Sequence, residues 1–172
     1  MRRNMIITAV AIGIAAMSAS AQLKLGYVNG QVIITKYEGY KEASEKLEKL
    51  QAKWEQEGSQ RQNDIRALSA QIDKQSLLLS AERKKELEDS LKEKTIQYEQ
   101  YVQDKFGQKG EIYTKREELL KPVNDKVFLI IQKIAKDENY DFIFDQQGGG
   151  VLYAMGKYDL TDRVLMLLNK EK

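Results

Sequence analysis

The chain has no cysteine and no histidine, and a single proline, among 172 residues. Without histidine or cysteine it lacks the usual nucleophile–base pairs, thiol chemistry and most transition-metal ligand sets. Without cysteine it also forms no disulfide and cannot be mis-oxidised in an oxidising compartment. Carboxylates and lysines remain, but they crowd into Glu- and Lys-rich helical sequence, where a solvated face is their ordinary role. No pair of acids stands out as the converging couple that glycan cleavage needs. The residues therefore point away from an enzyme and offer no catalytic, cofactor-binding or metal set. With one proline, turn chemistry is confined to a few places, and long helices are free to run.

What is present begins with "MRRNMIITAVAIGIAAMSASAQ". Arg2 and Arg3 precede an uncharged run from Ile6 to Ala16, followed by Ala19-Ser20-Ala21. This is the pattern of a secretory signal peptide (1–21) cleaved after Ala21. The apolar run is shorter than the roughly 20 residues a membrane-spanning helix needs. No cysteine follows the cleavage site, which excludes bacterial lipidation, so the expectation is an exported, soluble chain. Removal of Arg2 and Arg3 leaves 26 basic residues of the original 28 against 26 acidic ones. A formally neutral mature chain gives no warrant for nucleic-acid binding.

In the middle, Tyr40, Ala43, Leu47, Leu50 and Trp54 follow at spacings of three, four, three and four, the seam of a coiled coil. The seam resumes only at Ile65, Leu68 and Ile72. That slip across Gly58 and Arg61 reads as a stutter where the arm bends. A far turn is expected near 75–80, at Leu77, Leu78 and Leu79, because Ser80 can cap a new helix with Glu82 in its first turn. The return helix carries Leu87, Leu91, Tyr98, Val102, Phe106, Tyr113, Leu120, Val127 and Ile134, and Pro122 is expected to kink it. Two such seams fold most simply as an antiparallel helical hairpin, residues 37–121. Each arm would reach about 60 Å at about 1.5 Å per residue.

The two chain ends, 22–36 and 122–172, read as a small body. Lys24 to Val28 is a strand, with Asn29 capping a short apolar helix. Val123, Val127, Ile130, Ile131 and Ile134 form a dense apolar helix face. Tyr140 to Asp145 places aromatics at every second position, a strand period, and Val151 to Met155 is a further strand. Between them Gly148, Gly149 and Gly150 read as a β-hairpin turn rather than a phosphate loop, since no helix follows them. A closing helix, capped by Asp159 or Thr161, carries Val164, Leu165, Leu167 and Leu168. Three short strands drawn from separated chain ends enclose too little core alone, so the body calls for partner subunits.

With "KLGYVNGQVI" after the leader, a long charged hairpin, then "KPVNDKVFLIIQKIAKDENYDFIFD", "GGGVLYA" and "YDLTDRVLMLLNK", the chain resembles the Skp/OmpH family of periplasmic chaperones. The resemblance covers essentially the whole mature chain, through the order and spacing of individually weak motifs. It implies an α+β fold: a long antiparallel coiled-coil hairpin arm on a small β body, completed by trimerisation into a jellyfish-like homotrimer. It implies further an ATP-independent holdase that encloses unfolded outer-membrane β-barrel proteins in the periplasm before membrane insertion.

Carried over by position, Leu25, Tyr27, Phe142, Phe144, Val151 and Tyr153 are the candidate trimer core; an ordinary monomer core is the other reading. Trp54, Tyr98, Tyr101 and Phe106 are candidate client contacts, or else pack arm helix on arm helix. Arg83, Lys84 and Lys85 are candidate contacts to lipid or lipopolysaccharide phosphate, or else are simply solvated. Gly58 and Pro122 are the expected arm kinks. The family's best-known members are strongly basic and this mature chain is neutral, so electrostatic capture of acidic clients does not carry over. The competing function is a coiled-coil scaffold of the cell envelope.

Overall fold

The computed structural model describes residues 22–170. The expected signal peptide and its cleavage after Ala21 lie outside the described residues. The elements are β1 (Leu25–Val28), α1 (Gly30–Lys36), α2 (Glu38–Gln75), α3 (Ala81–Phe106), α4 (Glu111–Asp137), β2 (Phe142–Asp145) and α5 (Thr161–Lys170), with short 3₁₀ turns at Gln146–Gly148 and Gly156–Tyr158. No helix among the described residues is long and apolar enough to cross a membrane.

The helical boundaries follow from local chemistry. Asn29 caps α1, its side chain accepting from the Val32 N–H at 3.0 Å. Ser80 does the same for α3, accepting from Arg83 N–H at 3.2 Å, with Glu82 in the first turn beside the helix dipole. Between Gln75 and Ala81 the chain reverses, where the sequence places the tip. For α5 it is the Asp159 carboxylate, not Thr161, that accepts from the first-turn N–H, that of Thr161, at 2.8 Å.

α2 is one helix of 38 residues that contains Gly58, and α4 contains Pro122 in its interior, so both expected kinks fall inside continuous helices. The arm departs from the sequence expectation at Gly107–Gly110, where the return path is interrupted between α3 and α4. Gly107 ends α3 with its N–H on Gln103 O at 2.9 Å, and a Cβ there would fall 2.4 Å from the same oxygen, so only glycine fits the stop. Beyond the break α4 packs on the proximal part of α2, whereas α3 packs on the distal part.

The sheet also differs from expectation. The sequence predicts a β-hairpin through the triple glycine. The structure has β1 and β2 paired in parallel, Leu25 opposite Phe142 and Tyr27 opposite Phe144, with the entire arm as their crossover. Gly149 does take the positive φ of 78° expected of it, but as the end of a 3₁₀ turn. Val151 to Met155 forms no strand: Leu152 is 99% exposed and Tyr153 85% exposed. A strand needs a neighbour for its N–H and C=O groups, and within one chain this segment has none.

One core holds the body. Val28, Ile33, Tyr37, Val127, Ile130, Ile134, Leu160, Val164, Leu165 and Leu168 form a single buried cluster where α1, α4 and α5 meet the inner face of the sheet. Gly26 is needed for this approach, because a Cβ there would lie 2.7 Å from the Leu160 side chain. Thr161 fastens the two chain ends together: its Oγ1 accepts from Asn29 N–H at 2.9 Å and donates to Asp159. Asp145 reinforces the tie by accepting from the backbone N–H groups of Gly30 and Gln147.

Candidate functional site

Parallel pairing puts Leu25, Tyr27, Phe142 and Phe144 on one face of the sheet, opposite the face that covers the core. Phe142 and Phe144 stack with ring centroids 6.1 Å apart, yet both are about half exposed, as is Leu25. Tyr27 alone of the four is buried, and burial together with the Asp159 carboxylate raises its hydroxyl above the ordinary tyrosine pKa. Leu23, Leu25, Tyr27, Phe144 and the segment Gly150–Met155 line an open, mostly apolar groove of about 710 Å³. Val151 and Tyr153 therefore do converge with the sheet residues, through the groove and not through strand pairing. Five candidate body residues other than Tyr27 present apolar surface that the single chain leaves uncovered.

The arm aromatics behave otherwise. Trp54 is 6% exposed, edge-on to Phe106 at 6.1 Å, with Lys105 Nζ 4.9 Å from its ring centroid. Tyr101 is buried against Gly58, whose missing Cβ would sit 3.6 Å from the tyrosine ring, and Tyr98 packs beside it. The Tyr101 hydroxyl lies 2.9 Å from Trp54 O and 3.0 Å from Glu57 Oε2, and the Arg61 guanidinium stands 4.7 Å from the ring centre. Gly58 is thus a close-approach site between α2 and α3. Trp54, Tyr101 and Phe106 take part in the packing of arm helix on arm helix.

Burial first, then the Glu57 hydrogen bond and charge, push the Tyr101 pKa from its ordinary 10.0 to about 12. The neutral hydroxyl is favoured in the fold, so its contribution is whole below pH 10 and is lost as the pH climbs through about 12. Thermal melting of the arm followed by circular dichroism is expected to weaken over this range, and Tyr101→Phe is expected to flatten that part of the pH dependence. An equally steep decline in the variant assigns the effect to other groups.

At the tip, Leu77 and Leu78 are almost fully exposed. Arg83 pairs with Glu86 at 2.7 Å and Lys84 with Glu88 at 3.8 Å, both within α3, while Lys85 is exposed. Such surface pairs are worth little in stability, about 0.3–0.5 kcal/mol each at most, and they leave the tip with mixed charge. Among the described residues no group of acidic side chains could hold a metal ion.

A comparison with curated proteins finds no match. A family model described as outer membrane protein (OmpH-like) matches residues 24–168, nearly all of the described chain. The chain belongs to the OmpH-like family. Among solved structures it is similar to a candidate outer membrane chaperone (OmpH-like) from Caulobacter crescentus CB15, with a TM-score of 0.78 over 88% of this chain and 87% of that one. At 14% identity that likeness speaks for the fold, and it does so over arm and body together. The mostly helical chain with its small two-stranded sheet is consistent with the OmpH-like fold.

Proposed function

We propose that this OmpH-like protein is an ATP-independent holdase chaperone of the periplasm, which binds unfolded outer-membrane β-barrel proteins and prevents their aggregation before insertion. The observation that carries the reading is the uncovered apolar sheet face at the root of a long polar arm. A homotrimer joined through that face, with Leu25, Phe142, Phe144, Val151 and Tyr153 at its centre, sets three arms around a common space. Unfolded chains held there are kept from one another, and many weak contacts suffice for that task. Membership of the family and the similarity to a candidate chaperone support the same assignment.

The test dilutes a urea-unfolded outer-membrane β-barrel protein into buffer with and without the mature chain. Light scattering is expected to stay low in its presence, and native mass measurement to find three copies with one client. Unchanged scattering from a well-folded oligomer would instead support the envelope scaffold, whose fixed spacing α2 alone could provide.

A further inference from the structure

Two antiparallel rods that bend together need different path lengths. For helices about 9 Å apart, a bend of about 20° demands a difference of about 3 Å, the rise of about two helical residues. A pair of unbroken helices can supply that only by sliding along its whole seam. In this arm the four residues Gly107–Gly110 interrupt one rod while α2 continues. Trp54 on α2 is level with Phe106 and Lys105 at the edge of the break, and Gly58, one turn further out, faces Tyr101 and lowers the helix propensity of the continuous rod near it.

The break is also spanned. Lys105, in the last turn of α3, reaches Glu111, the first residue of α4, with Nζ 2.5 Å from Oε1. The Lys105 side chain is only 20% exposed, and its ammonium lies on the Trp54 ring. Partial burial strengthens both the ion pair and the cation–π contact relative to the exposed pairs along the arm. One side chain thus ties α3, α4 and α2 together at the edge of the break.

We infer that the arm is jointed at its midpoint, with Gly107–Gly110 as the slack element and Lys105 as the latch that holds distal arm to proximal arm. Releasing the latch lets the distal half, residues 59–106, swing. The same movement uncovers Trp54 and Phe106, the aromatic surface that the closed arm hides. This joint is a property of the free arm and does not depend on the holdase reading.

Trp54 is the only tryptophan in the chain, so its emission reports the joint directly. Lys105→Met keeps the apolar stem and removes the cation. The variant is expected to show red-shifted emission, stronger acrylamide quenching, and about tenfold faster hydrogen exchange at residues 111–113, with helicity retained. Lys92→Met, on an exposed turn of α3, serves as the control and is expected to change none of these. In the unmodified protein, added salt is expected to reproduce part of the red shift, and in Lys105→Met to have no further effect. Emission and exchange unchanged by Lys105→Met would overturn the latch. Exchange as slow at 107–113 as in the middle of α3 would overturn the joint itself.

Discussion

Replacing Leu168 with alanine is expected to destabilise the body by about 2–5 kcal/mol, the usual range for a buried leucine whose site cannot collapse. Leu168 is 0% exposed, the most completely enclosed large side chain of the core, and it stands on α5, the last element to be added. The cavity would open between α5 and the cluster residues of the other helices, Ile33, Ile130 and Ile134. Small domains have about 5–15 kcal/mol of stability in total, so one substitution removes a large share. The expected readout is a fall of about 10 °C in the melting temperature, scaled from about 2–4 °C per kcal/mol for a chain of this size. Met166→Ala, two residues away and partly exposed, provides the comparison and is expected to cost far less. Equal losses in the two variants would mean that α5 is held by something other than this core.

Much of this fold was legible because local chemistry and periodicity agree. Asn29 and Ser80 announce α1 and α3, and both side chains make the capping bonds their sequence positions call for. The apolar face Val123, Val127, Ile130, Ile131 and Ile134 packs on the body as its density predicts. The break at Gly107–Gly110 was hidden by arithmetic. Phe106 and Tyr113 are seven residues apart, a heptad step, so a loop of four residues passes unnoticed through a pattern that never loses count. The usable signal was glycine at both ends of "GQKG", where a helix interior has no use for either. Pro122 lies inside α4, which continues past it although one backbone hydrogen bond is lost.

The segment Val151–Met155 failed for a different reason. Its residues have strand propensity, but propensity in a strand is mostly the ability to pack beside a neighbour, and the single chain supplies none. Of the candidate body residues, Leu25, Tyr27, Phe144, Val151 and Tyr153 line one groove, and Phe142 stacks on Phe144 beside it. Alternation within each strand identified which side chains share a face. It could not reveal that the two strands run parallel, since that depends on a pairing across the whole arm. Nor could periodicity separate Trp54 and Tyr101 as arm packing from aromatic contacts for a client, because both roles use the same seam positions.

If copies associate through the sheet face as proposed, the double substitution Phe142→Asp with Phe144→Asp is expected to abolish that assembly. Each phenylalanine stands about half exposed on the outer sheet face and stacks on the other. Burying such a ring fully is worth about 1.5–3 kcal/mol, and putting an unpaired carboxylate into the same contact costs several kcal/mol more. In a cyclic trimer every subunit carries the change, so the penalty is repeated around the ring. Even a single loss of about 4 kcal/mol weakens association roughly a thousandfold. Sedimentation at micromolar concentration is expected to give the mass of one chain, with arm helicity retained because α2, α3 and α4 do not touch the substituted face. Suppression of client aggregation should vanish in parallel, since one arm encloses no space. A Leu77→Asp with Leu78→Asp variant, altered only at the exposed tip, is expected to keep the assembled mass. If Phe142→Asp with Phe144→Asp keeps it too, copies do not meet on this face, and the groove beside Phe144 must serve a partner other than the chain itself.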